Sequence, residues 1–213
     1  MICISYGNSD FNECIKTINL FGFVEIRMDL CHFSSSQIKF LFNNFNNLIA
    51  TYKNTLALSE DLVAFFLEQA IEFGAAFVDI DSALTTKTRL NILHKANLFN
   101  CKTIYSYHNY ELTPQIEELN NIIENGIFWN FDFIKIACTV NETFDSARLL
   151  SLYSDISYKN KLIIIGMGDM GRIVRIGSLK LGAPFTFCSS KPGSETAEGQ
   201  MDYETLNQLY KII

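Results

Sequence analysis

Proline occurs three times in this chain of 213 residues, tryptophan once and histidine three times, and no two cysteines have the C-x-x-C spacing. Each scarcity excludes something. So little proline, with no low-complexity stretch, argues against a linker or a disordered tail. His32, His94 and His108 do not lie near paired cysteines at ligand spacing, so no metal centre is expected. Cys3, Cys14, Cys31, Cys101, Cys138 and Cys188 are scattered and mostly sit in or beside apolar runs; they read as reduced, buried small hydrophobes rather than a disulfide framework. No apolar run reaches the roughly 18 to 20 residues that a membrane helix needs. The opening MICISYGNSD has no basic segment followed by an apolar one, so no secretory leader is expected and the expected compartment is the cytoplasm. Basic residues are outnumbered, 17 against 23 acidic, for a formal charge of −6. That argues against nucleic acid as a partner, because phosphate binding wants a basic face. A small anionic ligand needs only a local cluster of cations and stays open.

What the chain has is apolar residues, 48% of the total, in two alternating patterns. Short runs rich in Ile, Val, Phe and Tyr recur at Ile2–Tyr6, Phe23–Asp29, Leu48–Tyr52, Phe77–Asp81, Thr103–Tyr107, Phe131–Cys138, Leu162–Gly166 and Pro184–Phe187. Buried parallel strands read this way. Between them lie segments of helical periodicity, among them Glu60–Phe73, Ala83–Phe99, Pro114–Glu124, Asn141–Tyr153 and Met201–Ile212. Ser59, Thr113 and Asn141 are candidate helix starts, and Gly22, Gly74 and Gly182 stand where helix C-caps belong. Strict alternation implies parallel strands with right-handed crossovers. Eight units predict a closed (β/α)8 barrel forming a single domain over 1–213, with a doubly wound open sheet as the alternative. In a barrel the site lies at the C-terminal ends of the strands and in the loops that follow.

The polar residues at those ends are the candidates. Lys135 lies in the apolar run Asp132–Cys138. Burial there favours the neutral amine, which can attack a ketone; the competing reading is an edge-strand lysine, but a closed barrel has no edges. Glu25, Arg27 and Asp29 alternate with Val24, Ile26 and Met28, so the charged set shares one face, read either as an internal salt bridge or as a charged floor for ligand hydroxyls. His108 comes where the fifth strand gives way to its loop, and histidine is the side chain best matched to proton transfer near neutrality. Gly166–Gly171 matches G-x-G-x-x-G, but no acid follows before Ser194 and too little chain remains for a dinucleotide fold. The same backbone can seat an anion at a helix N-terminus, with Arg172 and Arg175 on the following helix. Thr196 and Gln200, in the last loop, are candidate hydrogen-bonding groups.

In this order, Glu-x-Arg-x-Asp on strand two, Ser-x-His after strand five, Lys-Ile-Ala on strand six, Met-Gly-x-x-Gly-x-x-x-Arg after strand seven and Gly-Gln after strand eight resemble the type I 3-dehydroquinate dehydratase family over nearly the whole chain. The resemblance implies a (β/α)8 barrel, a homodimer without metal or cofactor, and the dehydration of 3-dehydroquinate to 3-dehydroshikimate in the shikimate pathway. It makes Lys135 the Schiff-base lysine and His108 the general acid and base. Glu25, Arg27, Lys53, Arg175, Thr196 and Gln200 become the substrate-binding residues. This chain departs from the family pattern at Lys53, where arginine is usual, at Thr196 for serine and at Glu198 for proline. The loop after strand three is also short, with no acid before Glu60 to orient His108; Glu25, Asp79 or Asp81 is the expected substitute. A class I aldolase on the same fold, holding a sugar phosphate, and a non-catalytic relative are the competing expectations.

Overall fold

Strands and helices alternate along the chain in a computed structural model, which describes residues 1–53, 59–158 and 160–212. Asn54 and Thr55, in the shortened loop, fall outside the described residues. The strands are β1 (Ile2–Tyr6), β2 (Val24–Arg27), β3 (Leu48–Thr51), β4 (Phe77–Asp81), β5 (Lys102–Asn109), β6 (Phe133–Thr139), β7 (Leu162–Met167) and β8 (Thr186–Cys188). The helices are α1 (Phe11–Phe21), α2 (Met28–Cys31), α3 (Ser35–Asn44), α4 (Glu60–Glu72), α5 (Thr86–Leu98), α6 (Ile116–Phe128), α7 (Thr143–Ser151), α8 (Arg172–Leu181) and α9 (Tyr203–Ile212).

The strands form one sheet in the order β7-β6-β5-β4-β3-β2-β1-β8, and the registered pairs β1–β2, β2–β3, β3–β4 and β6–β7 are parallel. β7 and β8, the two ends of that order, are neighbours. The fold is the (β/α)8 barrel that the alternation predicts. Contacts group the chain into an N-terminal unit, residues 4–104, and a C-terminal unit, residues 105–213 with 1–3.

In the N-terminal unit Ile4, Val24, Ile26, Leu48, Ala50, Val78 and Ile80 are fully buried. They meet the apolar sides of helices such as α4, which buries Val63, Leu67, Ala70 and Ile71, a spacing of four, three and one that keeps all four on one stripe. In the C-terminal unit every residue of β7 is buried, as are Ile134, Ile136 and Cys138 of β6. Each such aliphatic side chain contributes about 1.5 to 3 kcal/mol by leaving water. All six cysteines are buried and none is in a disulfide, and burial raises the Cys14, Cys138 and Cys188 thiols to about 12, which leaves these three unreactive fillers of the cores.

Gly22 and Gly182 end α1 and α8 in the left-handed conformation, each returning its N–H to a carbonyl four residues back. After α5 and α6 asparagine takes the left-handed position: Asn100 and Asn130 have φ of 55° and 60°. Asparagine is the side-chain-bearing residue best suited to that region, which explains exits that carry no glycine signal. Two predicted helix starts differ. Helix α6 begins after Gln115, and the Thr113 hydroxyl instead donates to the Thr139 carbonyl at 2.8 Å. Helix α7 begins after Glu142, while Asn141 Nδ2 donates to the Glu111 carbonyl.

Candidate active site

In parallel strands, residues paired in register present their side chains on one face. In the N-terminal unit the register sets Ser5 beside Glu25, Arg27 beside Thr51, and Thr51 beside Asp79. Glu25 is 3% exposed. Its carboxylate accepts hydrogen bonds from the Ser5 hydroxyl and, at 2.8 Å, from Thr51 Oγ1. Those hydroxyl donors offset part of the cost of burying the charge. β2 stops at Arg27, two residues before the predicted end, and Met28–Cys31 forms a single helical turn. Asp29 therefore does not continue the strand face. It turns back to receive Arg27 Nε at 3.0 Å and Nη2 at 2.7 Å in a two-pronged pair.

Lys53 lies just past β3, with Nζ 2.7 Å from Asp79 Oδ1 and 3.0 Å from Asp81 Oδ2. Burial favours its neutral form, but the charges of Asp79 and then Asp81 outweigh burial, and the pKa is raised above the ordinary lysine value. Lys53 is thus an ammonium throughout the neutral range and unsuited to act as an amine nucleophile. Glu25, Asp79 and Asp81, the carboxylates expected to orient His108, each hold donors within the N-terminal unit.

In the C-terminal unit Lys135 sits in the middle of β6, 6% exposed, between the fully buried Ile134 and Ile136. Its Nζ lies 4.5 Å from the centre of the Phe187 ring on β8. An aromatic face attracts a cation without offering it a proton acceptor. β5 runs on to Asn109, so His108 belongs to the strand, half-buried, rather than to the loop after it. Its ring stacks on Tyr110 with centres 6.0 Å apart and planes 15° from parallel.

Arg175 projects from α8 and is 1% exposed, the largest fully buried side chain among the described residues. Nε donates to the Gly166 carbonyl at 3.0 Å and Nη1 to the Phe187 carbonyl at 3.4 Å. Nη2 is buried with no hydrogen-bond partner among the described residues. Burial pushes the guanidinium down to about 10. Arg172, expected on the same face, is exposed and pairs with Asp169 at 2.8 Å.

The G-x-G-x-x-G segment is a tight packing device. Gly166 and Gly171 approach so closely that a Cβ on either would strike the other's backbone, and Gly199, at φ 70°, lies against the Gly168 peptide. The loops after β7 and β8 are thereby clasped. In the last loop Gln200 Oε1 accepts the Thr196 N–H at 2.8 Å and Thr196 Oγ1 at 3.4 Å. Within its unit, then, Lys135 touches Phe187, Phe187 touches Arg175, and Thr196 meets Gln200. Sequence reasoning passed over Ser5, Thr51 and Phe187. The available signal for the first two was a small hydroxyl inside an apolar strand.

The fold and these buried charged side chains define a (β/α)8-barrel enzyme. Residues 2–213 match the family model described as type I 3-dehydroquinase. The chain belongs to that family, and it is a hydro-lyase. A 3-dehydroquinate dehydratase from Methanococcus maripaludis strain C5 is 30% identical over 227 aligned residues, covering all of both chains. Among solved structures, the 3-dehydroquinate dehydratase of Aquifex aeolicus VF5 is similar with a TM-score of 0.84 and 24% identity, over 100% of this chain and 98% of that one. The type I enzyme from Clostridium difficile, solved with covalently modified comenic acid, gives 0.85 and 19% over 99% and 90%.

Proposed function

We propose that the chain dehydrates 3-dehydroquinate to 3-dehydroshikimate through a Schiff base on Lys135, as one catalytic domain and a cytoplasmic homodimer working in the shikimate pathway. The observation that carries the chemistry is Lys135 itself: a lysine buried in the middle of an apolar strand, with its Nζ over the face of the Phe187 ring. Lys53, also buried, is held as an ammonium by two carboxylates. The Lys135 amine adds to the C3 ketone and water leaves as the iminium forms. His108 takes the C2 proton, whose acidity the iminium raises, and the electron pair moves into an enamine. The C1–O bond then breaks, with His108 returning the proton to the departing hydroxyl. A second water hydrolyses the conjugated iminium and frees Lys135, so the net change is the loss of one water. Arg175 holds the substrate carboxylate, Glu25 and Arg27 its hydroxyls, and Thr196 and Gln200 close the site. Borohydride reduction with 3-dehydroquinate, followed by intact mass, tests the reading. Wild type should gain a stable adduct and Lys135→Ala none, whereas His108→Ala should form the adduct slowly and release little product. An adduct that survives Lys135→Ala would refute the assignment.

A further inference from the structure

Asp79 and Asp81 are two apart on β4 and share a face, with side chains 0% and 19% exposed. Two carboxylates this close and this sheltered do not both ionise without a cation between them. The Lys53 ammonium occupies that place, at 2.7 and 3.0 Å. A compact ammonium on a flexible stem can serve two separate carboxylates, whereas the planar fork of arginine suits one carboxylate at a time. Lysine at this position therefore matches a bridging task better than the gripping of a ligand. The neighbouring strand ends of the N-terminal unit carry a second pairing of this kind, Arg27 with Asp29.

We propose that Lys53 is a positioning residue that keeps Asp79 and Asp81 ionised and fixed, so that these carboxylates of the N-terminal unit accept hydrogen bonds from ligand hydroxyls and reject anionic groups such as phosphate. The inference deepens the reading above: it moves Lys53 from ligand contact to support, and it assigns the hydroxyl-bearing side of the substrate to carboxylate acceptors.

Four variants test it: Lys53→Met, Lys53→Arg, Asp81→Asn and the double variant Lys53→Met/Asp81→Asn. The first measurement, thermal stability between pH 5 and 8 without substrate, is independent of the reaction. Lys53→Met leaves two sheltered carboxylates without their cation, so the folded state takes up a proton and the variant loses stability relative to wild type as pH rises. Lys53→Arg, which keeps the charge, follows wild type. The double variant and Asp81→Asn, each with one carboxylate fewer, lack the slope. The second measurement is turnover of 3-dehydroquinate. Lys53→Met should lose about tenfold or more in kcat/KM at pH 7.5, with the acidic limb of its profile moved to higher pH. A Lys53→Met protein that loses turnover with no shift of its pH profile overturns the proposal, because Lys53 then touches substrate itself. So does a Lys53→Met protein with no altered pH dependence of stability. If Lys53→Met does not fold, the double variant and Lys53→Arg still decide. If wild type neither dehydrates 3-dehydroquinate nor forms an adduct with it, the reading of the reaction fails while the stability series still judges the triad.

Discussion

Replacing Arg175 with methionine separates what the guanidinium does for binding from what it does for the fold. The side chain is 1% exposed and burial pushes it down to about 10, below the ordinary arginine value, a penalty on the charged form of roughly 3 kcal/mol. Against this stand two hydrogen bonds to backbone carbonyls, of Gly166 and Phe187, each contributing about 1.5 to 3 kcal/mol because the donor is charged. The longer of them, at 3.4 Å, belongs at the low end of that range or below. The terms nearly cancel, so the net change on Arg175→Met should be within about 2 kcal/mol of zero, as for other buried charges exchanged for apolar side chains of similar volume. Binding is a different matter. Nη2 has no partner among the described residues, and a substrate carboxylate reaching it would form a charge-assisted bond of about 1.5 to 3 kcal/mol. Arg175→Met should therefore weaken 3-dehydroquinate binding by about ten- to a hundredfold, read by titration on a protein whose denaturant midpoint has barely moved. Unchanged affinity would remove Arg175 from the carboxylate site. A loss of stability well above about 2 kcal/mol, with affinity intact, would make it a structural clamp between α8 and the strand ends.

Two further perturbations probe the loops. Gly199 is left-handed and pressed against the Gly168 peptide, while Gly193 is left-handed with open space around it; Gly193→Ala should cost about 1 to 2 kcal/mol of backbone strain and Gly199→Ala clearly more, with a raised KM and faster proteolysis in the last loop, and equal effects of the two would refute the clasp. Glu60 at the start of α4 accepts from the Thr85 N–H and from the Thr85 and Thr88 hydroxyls, and those hydroxyl bonds, Thr85 first, hold its carboxyl below the ordinary value. A depressed carboxylate stabilises above its unfolded value and the effect is lost as pH falls through the folded one. Glu60→Gln should thus melt slightly below wild type at pH 7, with the gap closing as pH falls below about 4.5, the unfolded reference; a gap that persists at pH 3 would show that the charge is irrelevant.

Strand and helix periods are local, two residues and 3.6, so they survive in one dimension. That is why the alternation, the eight strands and the candidate positions on them were legible from the sequence: Lys135 in an apolar strand, Glu25 and Arg27 on one face of β2, His108 near the end of β5. Boundaries were less so. β2 stops early because Asp29 turns back onto Arg27, and β5 runs on through His108; both depend on partners that periodicity does not encode.

Partnership itself was decided only in three dimensions. Lys53 stands 26 and 28 positions from Asp79 and Asp81, and nothing in its own neighbourhood announces that two carboxylates will raise its pKa. Arg172 and Arg175 share a helix face by spacing, yet one is solvated and the other sealed, because only packing sets how far a helix is rotated against its sheet. The sequence by itself determined the class of fold and which residue types stand at its strand ends, through periods set by backbone geometry. The tertiary structure alone decided which of those charges are spent on one another, because pairing depends on distances of a few ångströms between residues far apart in the chain.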